Sequence, residues 1–186
     1  MSEALPSEES LRDALAACGA DLRPGLSDAE FDRVESEFDF RFAPDHRRLL
    51  SVALPVGDAW PDWRGGDRLE LRERLDWPVR GILFDVQRNR FWHPEWEARP
   101  AETAEALSVA RERLSEAPPL ALLYGHRYLP TKPHTSGNPV LSVYQTDIIY
   151  YGNDLLDWLE YEFQRTSSAL GKPREVPVWS WYVENA

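Results

Sequence analysis

Two histidines and one carboxylate are the residues of this chain whose types best suit chemistry. His126 and His134 share the polar stretch Gly125-His126-Arg127-Tyr128-Leu129-Pro130-Thr131-Lys132-Pro133-His134, and Asp147 follows beside an expected strand end. Imidazole, imidazole and carboxylate could hold a metal with open coordination positions, or act as an acid–base pair. The spacing follows no established ligand rule, so the loop would have to fold both histidines back together. The competing reading is two ordinary polar loop residues, one of them bonded to backbone. Trp92, His93, Glu95, Trp96 and Glu97 form a second cluster that could bind a cation through His93 with Glu95 or Glu97. Against this, the tryptophans and Phe91 could cover a core edge while the charges face water. Trp60, Asp62 and Trp63 form a third. Loop tryptophans can anchor a partner as buried hot spots, or close as a lid over the domain's own core.

Several chemistries lack their residues. There is no Gly-x-Ser-x-Gly elbow, no phosphate-cradling loop ending in Lys-Ser/Thr, no dinucleotide fingerprint and no His-Glu-x-x-His. Cys18 is the single cysteine. It allows no intramolecular disulfide, excludes a zinc ribbon, has no evident activating partner and suits a reducing cytosol. No cofactor is expected. The N-terminal MSEALPSEES lacks the basic and apolar regions of a signal peptide, and no apolar run approaches the length of a membrane span. A cytoplasmic protein without membrane contact is the expectation.

At 186 residues the chain suits one domain with a real core. Its net charge of −11 is uneven: residues 1–40 hold eleven acids and three arginines, a balance of −8, and the rest only −3. Such a surface aids solubility. It would also speed encounter with a basic partner and repel nucleic-acid phosphates. The eight tryptophans do not make a nucleic-acid platform, because stacking sites need a basic groove beside them.

The elements that position these residues can be read from caps and periodicity. A first helix runs from about Ser7 to Ala17, with Leu11, Ala14, Leu15 and Cys18 on one face and Gly19 after its end. Ser27 with Glu30 is a capping box opening a second helix, on which Phe31, Val34 and Phe38 form one apolar stripe. Phe40-Arg41-Phe42 has the period of a strand or extended turn. Pro44 opens a third helix with His46, Leu49, Leu50 and Ala53 inward, and Pro55 stops it. Val56 to Gly66 reads as loop. Helix four is Asp67 to Leu75, interrupted at Trp77-Pro78. Gly81 to Val86 is ambiguous between helix and strand, and Asn89 to Pro100 is aromatic-rich loop. Helix five is Ala101 to Glu116. Leu120 to Tyr124 has strand length, Gly125 to Asn138 reads as loop, and Val140 to Tyr144 with Ile148 to Tyr151 suits a hairpin. Asn153 caps the last helix, with Leu155, Leu156, Leu159 and Phe163 inward, and Val176 to Val183 alternates like an edge strand. Helices first and strands late argue an α+β fold: a single domain with a small, mostly antiparallel sheet flanked by helices.

Two segments carry a family resemblance. Leu26-Ser27-x-x-Glu30-Phe31-x-x-Val34-Glu35, then Phe40-x-Phe42-x-Pro44-Asp45, then Leu49-Leu50 and a Leu-Pro, resembles the opening of the SUKH superfamily, the Smi/Knr-type domain. Pro139 to Tyr144, Asp147 to Gly152 and Asp154-Leu155 look like that family's central strands running into its C-terminal helix. The family usually has an aromatic where this chain has His46. Residues 64–118 do not align with its general pattern and read as a lineage-specific insertion within one SUKH-like domain over 1–186. The resemblance implies a non-enzymatic protein-binding domain. Bacterial members include many immunity proteins that neutralise toxins, so the implied partner is a toxin domain, basic if it complements the acidic surface. Asp28, Asp32, Glu35, Trp60, Asp62 and Trp63 are the candidate interface residues. An enzyme or metal-binding protein using His126, His134 and Asp147 is the alternative. A regulatory scaffold like the fungal relatives, which usually carry long disordered extensions, is a further one.

Overall fold

Ser27 and Glu30 start the second helix as their spacing predicts. In the computed structural model, which describes residues 5–164 and 172–186, the Ser27 hydroxyl accepts the Glu30 N–H at 3.4 Å and the Glu30 carboxylate accepts the Ser27 N–H at 2.8 Å. These bonds satisfy donors that a helix start leaves open. Helix α1 spans Glu8–Ala17, capped by Ser7, and buries Leu11, Ala14 and Leu15. Strand β1, Asp21–Pro24, leads into α2, Asp28–Phe38, which buries Phe31, Val34 and Phe38 and ends at Asp39 with φ +56°. Phe40 to Phe42 then turn an extended corner outside both sheets. The Glu35 carboxylate fixes that corner by accepting the Phe42 N–H at 3.0 Å.

Helix α3, Pro44–Val52, starts on its proline and runs directly into β2, Ala53–Val56. β2 pairs antiparallel with β1, Arg23 opposite Leu54. Neither strand is expected from the sequence. Both are four residues long and contain proline, so only the approach of two distant segments defines them.

Helix α4, Arg68–Arg88, corrects the expectation of a break at Trp77-Pro78: it is one 21-residue helix with Pro78 inside it. A proline there removes the N–H that would bond the carbonyl of residue 74. The Tyr128 hydroxyl supplies the missing donor, reaching the Arg74 carbonyl at 2.7 Å. The ambiguous segment over Gly81 to Val86 is the second half of this helix. The aromatic loop follows, then α5, Thr103–Ser115. Residues in the expected insertion thus build α4 and α5, and place Leu71, Ile82 and Leu114 in the same core as Phe31 and Leu54.

The larger sheet is an antiparallel meander in the order β3 (Leu120–Tyr124), β4 (Arg127–Pro130), β5 (Val140–Tyr144), β6 (Asp147–Gly152). Strand β4 lies in the stretch expected to be loop. Its four residues include an arginine and a proline, and partners on both sides make it a strand. Helix α6, Leu155–Leu159, is capped by Asp154 rather than Asn153 and continues as a π-helical turn over Glu160–Gln164. The tail is not an edge strand: Trp179–Glu184 form α7, because Trp179 and Tyr182 both have to turn inward, a helical spacing. Leu122, Tyr128, Leu141, Val143 and Ile148 face one core with α2, α4, α5 and α7. Leu123, Leu129 and Val140 face another with α1, α3 and α6. The fold is α+β, small antiparallel sheets flanked by helices. No helix among the described residues is long and apolar enough to cross a membrane.

Candidate functional site

The structure separates His126, His134 and Asp147. His126 stands before β4 and His134 beyond its far end, so roughly 13 Å of strand lies between them. His126 Nε2 accepts a hydrogen bond from the Arg127 guanidinium, and His134 Nε2 donates to the Phe42 carbonyl at 3.0 Å. Asp147 is exposed at the start of β6, opposite Tyr144. Among the described residues no three His, Cys, Asp or Glu side chains converge as a metal site would require. The metal-site alternative therefore loses its geometry, because the stretch that would have to fold back is a straight strand.

The second cluster is part of the packing. His93 is buried, its ring 3.8 Å from that of Trp181 and stacked on Trp96 at 5.5 Å, and its Nδ1 accepts the Glu95 N–H at 3.2 Å. Burial pushes its pKa down, which keeps the imidazole neutral. Glu97 pairs outward with Arg113 at 3.0 Å. Phe91, Trp92 and Trp96 cover the edge of the α4–α5 core.

The third cluster is a closed lid. Trp63 is 0 % exposed and meets Phe38, Phe40 and Phe42 edge-on, while Trp60, 6 % exposed, packs on Trp158 and stacks on Phe163. Neither indole is presented at a surface, which corrects their choice as interface anchors. Asp62 between them organises its own loop. It accepts the N–H groups of Arg64 and Gly65 at 3.1 and 2.9 Å and pairs with Arg23 at 3.1 Å.

The carboxylates of α2 are largely neutralised from other elements. Arg47 of α3 reaches Asp28 at 2.7 Å and Glu35 at 3.6 Å while lying 4.1 Å above the Phe31 ring. Arg68 of α4 pairs with Glu37 at 3.4 Å. Arg64 pairs with Glu30 at 2.5 Å and also donates to the carbonyls of Pro24 and Gly25 at 3.0 and 2.9 Å. This guanidinium, together with the Ser27 N–H and hydroxyl, holds the Glu30 carboxyl down at about 2. Among the described residues Asp32 and Asp39 are the α2 carboxylates left without an ion pair. Both line a cleft of about 850 Å³ between α2, the C-terminal end of α5 and the loop carrying Lys132 and His134. Arg41 and Lys132 also line it, so the rim carries both signs of charge.

A buried polar pair braces that loop. Asp45, 1 % exposed, accepts the His46 N–H at 3.0 Å and the Gly137 N–H at 2.9 Å. Burial raises its pKa. His46 is also buried, its Nδ1 has no partner among the described residues, and desolvation lowers its pKa to about 3. The Asp45–Gly137 bond ties the first stretch of the SUKH resemblance to the residues just ahead of the second.

One cavity has no counterpart in the sequence reading. It holds about 440 Å³ between α4 and the β3–β4 turn, and Trp77, Arg74, Arg80 and His126 line it. The expected helix stop at Leu75 hides it, since Trp77 and Arg80 share a face only if the helix continues. The signal in the chain is the Arg74–Trp77–Arg80 spacing of three.

No family model, no curated protein and no solved structure matches this chain.

Proposed function

We propose that this chain is a non-enzymatic protein-binding domain of SUKH type, an immunity protein whose partner is a toxin domain. The reading is supported by the resemblance, whose two segments fold as a capped helix, aromatic corner and proline-started helix, and as a hairpin running into a capped helix. The observation that carries the choice of surface is the α2 cleft. There Asp32 and Asp39 stand exposed and unpaired among the described residues, while the remaining α2 acids are already paired with arginines of the fold. Glu35 and Asp62 then serve the fold first, Asp28 with its side chain 94 % exposed keeps only a surface pair with Arg47, and Asp32 is the one of the six candidate interface residues that is exposed and makes no ion pair among the described residues. A cytoplasmic location belongs to the same proposal.

The experiment is a tagged pull-down from the native cell's lysate at low and raised salt, read by mass spectrometry, with Asp32→Lys/Asp39→Lys beside the parent chain. A stoichiometric basic protein that leaves as salt rises and is not retained by the double variant supports the reading. A partner held equally by the double variant moves the interface off this cleft. No partner at either salt overturns the proposal.

A further inference from the structure

The cavity between α4 and the β3–β4 turn combines three properties found together nowhere else among the described residues. The first is an uncovered indole. Trp77 is 45 % exposed, the one tryptophan so exposed, and it makes no ring contact, whereas the other seven each pack on an aromatic neighbour. Leu69, Phe84 and Tyr144 are exposed as well, but Trp77 is the exposed apolar side chain that lines this cavity, where its flat face can stack on a ligand. The second is spare cationic donors in an acidic protein. Arg80, one helical turn past Trp77, makes no hydrogen bond or ion pair among the described residues. Arg74, one turn before, uses a single N–H on the Ala59 carbonyl at 2.8 Å and keeps the rest of its five donors. The third is a rigid floor. The Gly125 N–H also donates to Ala59 O at 2.8 Å, and the Tyr128 hydroxyl holds the Arg74 carbonyl. The wall is therefore built before any ligand arrives, which lowers the ordering cost of binding.

Two further groups complete the lining. His126, whose ring meets the Arg127 guanidinium, is one of them. Glu73 is the one carboxylate in the wall and can accept a hydroxyl or amine proton. The volume, about 440 Å³, lies within the roughly 300–1,000 Å³ of small-molecule pockets.

We propose that this cavity binds a nucleoside monophosphate, or a ligand of the same build, with its flat base on the Trp77 indole and its phosphate on Arg80, one helical turn away. The overall charge of −11 does not forbid this. The acidic excess lies on the N-terminal helices, and fields beyond a Debye length of about 8 Å are screened at physiological salt. A nucleic-acid strand, which must run past that excess, stays excluded. The inference is independent of the protein-binding reading, whose cleft is on α2.

The test is calorimetric titration of the full chain with adenosine 5′-monophosphate, adenosine and inorganic phosphate at low salt. Saturable binding of the monophosphate is expected, with adenosine and phosphate each weaker by roughly tenfold or more, the factor one charge-assisted hydrogen bond or stacking contact supplies. Arg80→Ala and Trp77→Ala, both at exposed positions, are each expected to weaken it by roughly tenfold, with circular dichroism and melting temperature unchanged. No saturable binding by about 10 mM overturns the proposal. So does phosphate binding as tightly as the nucleotide, or either variant binding like the parent.

Discussion

The Tyr128 hydroxyl donates to the Arg74 carbonyl at 2.7 Å, four residues ahead of Pro78. This single bond from β4 replaces the helical hydrogen bond that Pro78 cannot make, and lets α4 run through its proline. Tyr128 is buried, and burial pushes its phenol pKa up, so the hydroxyl stays a donor throughout the ordinary pH range. Removing it leaves a part-buried carbonyl without its donor, at a cost of about 1 kcal/mol. Tyr128→Phe is therefore expected to destabilise by that amount in urea unfolding. Pro78→Ala returns the N–H, so Tyr128→Phe made together with Pro78→Ala is expected to cost about 1 kcal/mol less than it does alone. Strictly additive effects would sink this account.

His46 makes stability depend on acid. Its folded pKa is lowered to about 3 from the ordinary 6.5. The unfolded chain takes up a proton between those values while the folded one does not, so this contribution is complete above about pH 6.5 and is lost as pH falls. One such histidine gives a slope of about 1.4 kcal/mol per pH unit in that window. His93 and His126 are also shifted down and add in the same direction. His46→Phe, which keeps a ring against Phe42 and removes the unpartnered nitrogen, is expected to hold stability at neutral pH and to flatten the slope below it. Denaturant midpoints from pH 7 to pH 4 for both proteins decide the matter, and parallel curves would reject it.

Gly81 marks where α4 presses on the β5–β6 turn. A Cβ there would lie 2.9 Å from Gln145 Cα and 3.1 Å from its nitrogen. Helix propensity alone favours alanine over glycine by about 1 kcal/mol. The steric conflict is with backbone on a turn that Asp85 pins, accepting the Thr146 N–H at 3.0 Å and its hydroxyl at 2.7 Å. Gly81→Ala is expected to destabilise by about 1–3 kcal/mol, as overpacking does. A raised melting temperature would show that the turn yields.

Arg64 is the reason for the low pKa of Glu30. In carboxylate NMR titration Glu30 is expected near 2, and in Arg64→Ala to rise toward the ordinary 4.5, held partly down by Ser27. The sign follows from the depressed value: the Glu30 contribution is present above about pH 4.5 and fades as pH falls toward 2. An unchanged titration in the variant would assign the shift to the cap alone.

The sequence by itself determined what local physics controls. Ser27 and Glu30 satisfy each other three residues apart, Pro44 presets its own φ, and Phe31, Val34 and Phe38 share a face by periodicity, so α2 and α3 were legible. The β5–β6 hairpin was legible as two strand-length runs around Gln145-Thr146-Asp147; the structure tightens the turn to Gln145-Thr146, with Gln145 at φ +58° and Asp147 opposite Tyr144. Tertiary structure decided whatever depends on a partner distant in sequence. Pro78 reads as a helix stop until Tyr128 is brought to Arg74. Arg127 to Pro130 read as loop until strands on both sides supply their bonds. Trp60 and Trp63 read as partner anchors or as a lid until aromatic neighbours close over them and make them the lid. The charge of α2, counted along the chain, reads as an acidic face; in space Arg47, Arg64 and Arg68 arrive from other elements and leave Asp32 and Asp39. Electrostatics acts through distance in space, and sequence separation does not report it.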